Sequence, residues 1–208
     1  LYLRAVTQRK SLIASTGATD EAREAAARDV LKYGVRVVEQ FGSSVEALRD
    51  SAAAGVYAEV ADAAGYLAEE RGDSAARDLA IRLDRLALAA TPGQVGPLRR
   101  LGVLSEQAGD LALAEECWRT LASGLTEGSP DWFGARFNLI RLIMRHDEAQ
   151  ARTLMQQLAT LYPDLGPAPW NSRLRSLAES LGTGAGTPGT TPGNVPAAAP
   201  ASAPGGAP

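Results

Sequence analysis

The sequence predicts an all-α protein, a right-handed α-solenoid of stacked helical hairpins closed by a C-terminal capping helix, and three observations carry that reading. The stretch Gly65–Asp73 returns as Gly102–Asp110, with Gly, Leu, Glu, Gly and Asp in the same places 37 residues on. Self-similarity at such a spacing marks units that cannot bury an apolar face alone and stack on their neighbours. Apolar residues also recur every three or four positions in segment after segment, the period of one helix face. Between these segments lie helix stop and start signals, Gly72-Asp73, Gly109-Asp110 and Ser129-Pro130-Asp131 among them.

Each element follows from the same signals. Residues 1 to about 15 read as a helix with Leu3, Val6, Leu12 and Ile13 apolar, and Asp20 as the cap of a second helix running to about Phe41. Ser43 and Glu46 have capping-box spacing for a short helix to about Ser51. From about Ala54 the pattern becomes regular. A helix to Arg71 is followed, after Gly72-Asp73, by one whose apolar stripe is Leu79, Leu83, Leu86 and Ala90. The next pair spans about Gln94 to Ala108 and Leu111 to Ser123, with Leu111, Ala114, Trp118 and Leu121 together. Ser129 caps a helix apolar on more than one side, which predicts burial between neighbours. Its partner, about Asp147 to Tyr162, and a last helix, about Pro169 to Leu181, complete the folded part.

Three regions result: an irregular helical stretch over 1–53, repeats with their capping helix over 54–181, and a low-complexity tail over 182–208. The tail has no charge and no aromatic residue, and proline recurs at every fourth position from Pro188 to Pro208. That composition predicts disorder.

Composition narrows the function. The chain carries 21 basic and 24 acidic side chains, interspersed, for a formal net charge of −3, so no basic block exists to follow a phosphate backbone. No partner of nucleic-acid type is expected. No run approaches the roughly 18 apolar residues of a membrane span. The compartment stays open, as does whether a signal peptide, further repeats or a catalytic domain precedes Leu1. A single Cys and a single His rule out an intrachain disulfide and leave no shared-histidine metal site. Cys117 reads as a packing residue, His146 as a polar residue at a helix turn, and the pairs Glu69-Glu70 and Glu115-Glu116 as solvated charge, since neighbours on a helix point about 100° apart. No catalytic residue, cofactor or metal is expected.

In Leu101-Gly102, Gly109, Ala114 and Trp118, then Ala151 and Tyr162-Pro163-Asp164, the chain resembles tetratricopeptide repeats over about Ala54 to Leu165. The preceding unit keeps Gly65 and Gly72 but has Arg77 where the family has a small residue, and the 37-residue spacing exceeds the family's ~34. The resemblance implies that the first helix of each pair lines a concave groove. It places Asp62, Tyr66, Glu69 and Glu70, then Arg99, Val103 and Glu106, then Arg136, Ile140 and Ile143 toward that groove, running from an acidic end to a basic, more apolar one. For Ile140 and Ile143, packing against the next helix is the competing reading. Tyr66, Val103 and Ile140 stand where some relatives carry the Asn that clamps a peptide's terminal carboxylate. The implied function is a non-catalytic protein-interaction scaffold for an extended or helical peptide. The alternative is an accessory or regulatory segment of a larger enzyme or envelope protein, and a helical pocket for a small ligand is a weaker third.

Overall fold

The computed structural model describes residues 17–42, 44–49 and 51–183, with side chains from 53 onward in the last stretch. The helix expected before Gly17, the Ser43 cap and the tail beyond Thr183 lie outside them. Among the described residues there is no strand. Eight α-helices and one 3-10 turn follow in chain order: α1 Asp20–Phe41, the 3-10 turn Val45–Arg49, α2 Ser51–Arg71, α3 Ser74–Ala90, α4 Val95–Gln107, α5 Leu111–Gly124, α6 Pro130–Ile143, α7 Glu148–Leu161 and α8 Trp170–Ser180.

Each helix from α1 to α6 packs against the next in the chain, α2 also touches α4, and α8 returns to α6. Local chemistry sets most of the boundaries. Asp73, Asp110 and Asp147, each 37 residues after the last, cap α3, α5 and α7 by accepting the amide of the third residue on, at 3.0, 3.2 and 2.9 Å. Each such cap contributes about 1 kcal/mol. Ser129 caps α6 in the same way at 3.2 Å, with Pro130 in the first turn.

The turns before the three Asp caps differ. Gly72 and Gly109 have φ of +66° and +84°, a region open to glycine. The third turn, Met144-Arg145-His146, contains no residue of positive φ. Its amides close instead on Leu142 and Ile143: Arg145 N donates to Leu142 O at 3.0 Å, and Asp147 N to Ile143 O at 2.8 Å.

Four expectations need correction. Thr19, not Asp20, caps α1, because its hydroxyl reaches the Ala22 amide at 3.2 Å. The short helix is a 3-10 turn started by Ser44, whose hydroxyl accepts from Ala47 N at 3.4 Å. The long second-hairpin helix begins at Ser51 rather than near Ala54. The buried stripe of α3 is Ala76, Ala80, Leu83 and Asp84, with Leu79 and Leu86 only partly covered. Small residues are innermost there because α2, itself rich in alanine, lies close.

The core has two clusters. One joins α1, α2 and α3 around Val30, Val56, Tyr57, Val60, Leu67 and Leu83. Tyr57 ties α1 to α2 by donating its hydroxyl to the carbonyl oxygens of Gly42 and Val38. The other gathers Leu101, Trp118, Trp132, Phe133, Leu142, Met155, Leu174 and Leu181 from α4 to α8. As expected, α6 is enclosed, with Trp132, Phe133, Leu139, Ile140, Leu142 and Ile143 all buried.

Candidate functional site

Arg100 organises the region with the most structured polar chemistry. It rises from α4 toward α2 and α3 because glycine at 65 leaves room: a Cβ there would stand 2.3 Å from Arg100 Cδ. The guanidinium then donates to Asp84 in α3 through two nitrogens, Nε to Oδ2 at 2.9 Å and Nη2 to Oδ1 at 2.5 Å, and through Nη1 to Asp62 in α2. Asp84 is completely buried. Burial pushes its carboxyl up from 3.8 to about 6 against the pull of Arg100. For Arg100 burial works against the cation, but the carboxylates of Asp84 and Asp62 outweigh it and raise its pKa. Such a forked pair costs little when both partners are present and much when one is missing. The same device recurs one unit on with different chemistry, where glycine at 102 lets the Trp118 ring lie flat, 2.9 Å from where a Cβ would be.

Two hollows adjoin this cluster and a third follows beyond Arg99. The first, about 280 Å³, lies between the 3-10 turn, α2, α3 and the start of α4, walled by Ala54, Ala58, Ala61 and Ala87 with Asp62, Asp84 and Arg100 at one end. The second, about 390 Å³, is lined by Asp62, Tyr66, Glu69, Glu70, Gly96, Arg99, Arg100 and Val103. The third, about 120 Å³, runs from Arg99 and Asp131 to Asn138, with Trp118, Gly134 and Trp170 among its walls. Asp62, Gly96 and Arg100 wall the first two and Arg99 the last two, so the hollows are neighbours along α2, α4 and α6.

Six of the ten residues placed in a groove from the sequence therefore meet in one depression: Asp62, Tyr66, Glu69, Glu70, Arg99 and Val103. Glu106 sits farther along, half-covered and held by both guanidinium nitrogens of Arg141 at 2.7 and 2.5 Å. Arg136 lies over the Trp132 ring, 4.9 Å from its centroid. Ile140 and Ile143 are 1% exposed and share the buried cluster of Leu174 and Leu177, so the packing reading holds for both. The cause is α8, which seats Trp170 against Gly134 and 5.9 Å from Phe137. On α6 the groove is lined by Asp131 and Asn138 instead, and Asp131 accepts from Arg99 at 3.0 Å.

Arg100 and Asp84 were not singled out from the sequence. The signal was present: Asp84 lies four residues after Ala80 and one after Leu83, an acid on the buried side of its helix. Recognising its partner required knowing which helix faces it.

Elsewhere the ionisable groups are structural. Cys117 is buried, and burial raises its thiol to about 11, so it stays protonated at neutral pH. His146 shares a hydrogen bond of 2.9 Å with Glu115, which also accepts from Arg119. Burial works against the Glu115 carboxylate, but these two neighbours outweigh it and keep its pKa below the usual range. Among the described residues no group of three or more His, Cys, Asp or Glu side chains is placed to hold a metal, and no helix is long and apolar enough to cross a membrane. Comparison with known proteins finds no matching family model, curated relative or solved structure.

Proposed function

We propose that the chain is a non-catalytic interaction scaffold, a right-handed α-solenoid of the tetratricopeptide kind, whose groove over α2, α4 and α6 receives an extended or helical segment of a partner protein. The observation that carries this reading is that the three hollows lie side by side, sharing Asp62, Gly96, Arg100 and Arg99 as walls. A metabolite is usually enclosed in a single concave pocket lined mostly by apolar side chains, whereas the second hollow, about 390 Å³, is lined by Asp62, Glu69, Glu70, Arg99 and Arg100 among others. A peptide is bound along a line, one side chain to a hollow. The solenoid reading is supported by the Asp caps at 73, 110 and 147 and by the close helix contacts at Gly65 and Gly102.

The test is selection of displayed random linear peptides on the full chain, followed by amide hydrogen exchange with the best binder. Protection over α2, the first half of α4 and the start of α6 is the expected outcome, with loss of binding in Tyr66→Ala/Val103→Lys. Protection confined to the opposite side, around Leu88 and Cys117, or no binder at all, would overturn it.

A further inference from the structure

Resting on that groove reading, we propose that the segment it accepts is cationic: an apolar side chain fills the alanine-walled cavity and, about four residues along, a Lys or Arg lies against Glu69 and Glu70. The cavity walls and the charges already paired lead to this. At about 280 Å³, with Ala54, Ala58, Ala61 and Ala87 around it, the cavity has room for an apolar side chain. Its cation is fully used, since Arg100 is engaged by Asp84 and Asp62. Arg99, next along the groove, is engaged by Asp131.

Glu69 and Glu70 differ from these. Both are exposed, both line the second hollow, and neither makes a hydrogen bond or ion pair among the described residues. Burial and the charge of Glu70 raise the pKa of Glu69 against the weaker pull of Arg100, a crowding that an incoming cation relieves. An acidic segment would meet Asp62, Glu69 and Glu70 with both arginines occupied, and like charges brought together disfavour the complex.

Helix geometry sets the spacing. From Ala61 to Glu69 is eight residues of α2, about 12 Å at the helical rise, which an extended chain covers in about four residues.

The test uses the full chain and two synthetic peptides, alike except for Lys or Glu about four residues after a single Leu. The Lys peptide is expected to bind more tightly, and its affinity to fall on the order of tenfold with Glu69→Lys/Glu70→Lys and with raised salt. The same variant should bind the Glu peptide better than the unaltered chain does. Equal binding of the two peptides, or an unchanged preference in the variant, overturns the proposal. Selected peptides that map to the groove but carry no excess of Lys or Arg overturn it while leaving the groove reading intact. Failure of every peptide to map there removes both.

Discussion

The two ends of the helical array solve the same packing problem with different side chains. Among the described residues alanine supplies eight of the sixteen that form the cluster of α1 to α3, but only five of the twenty-two in the cluster of α4 to α8. The alanine-built end brings helix backbones close and leaves little side-chain volume to fill the corners. A cavity of about 280 Å³ and a buried ion pair occupy that corner. At the other end Trp132, Phe133 and Tyr162 meet edge-on or tilted, with centroids 5.1 to 5.4 Å apart; the hollow against Trp118 and Trp170 is about 120 Å³, and another of about 290 Å³ lies on the outside of Leu98, Leu101 and Cys117. The contrast is therefore one of lining: small residues leave a hollow with a buried ion pair at its end, and bulky ones fill their cluster by ring-to-ring contact.

The sharpest way to break this contrast is Arg100→Ala. It leaves Asp84 buried without its partner and is expected to cost about 3–5 kcal/mol, measured by denaturant unfolding. Replacing both members, Arg100→Met with Asp84→Leu, should recover most of that. Equal loss in the single and double variants would show that the pair contributes packing and not charge.

The same carboxyl makes the alanine-built end pH-sensitive. With Asp84 at about 6 when folded and 3.8 when not, the folded chain holds the proton more tightly. Stability from this group is therefore fully present below about pH 4 and is lost as pH rises through 6, by about 3 kcal/mol in all. Unfolding midpoints of the wild type and Asp84→Asn between pH 4 and 7 should converge or cross in that direction. A constant gap would place the carboxyl in its ordinary range.

Gly102→Ala tests the close approach at the bulky end. The added methyl would stand 2.9 Å from the Trp118 ring, and the expected loss is about 1–3 kcal/mol. The smallest effects belong to the caps: Asp73→Ala, Asp110→Ala and Asp147→Ala should each lower stability by about 1 kcal/mol. Near-equality of the three would show that the hairpins are alike in their turns even where their cores differ.

Legibility in the sequence followed the range of the interaction. Asp110, Ser129 and Asp147 place helix starts correctly because a cap is made within three residues of itself. Where two capping residues adjoin, as at Thr19-Asp20, composition does not choose between them, and the one whose oxygen faces the free amide is used. The groove was partly legible. Tyr66, Glu69, Arg99 and Val103 follow from helical period and unit spacing, and they do meet. Ile140 and Ile143 have the same spacing but are covered, because α8 folds back onto α6.

By itself the sequence determined the helical class, nearly every helix boundary and the 37-residue beat of the Asp caps, since all of these depend on bonds within one turn of chain. Only the tertiary structure decided that Arg100 joins Asp84 and Asp62 across three helices and that α6 presents Asp131 and Asn138 to the groove. Those outcomes depend on which helix lies opposite and how near it comes. That nearness is set jointly by side-chain volumes on two or more helices far apart in the chain.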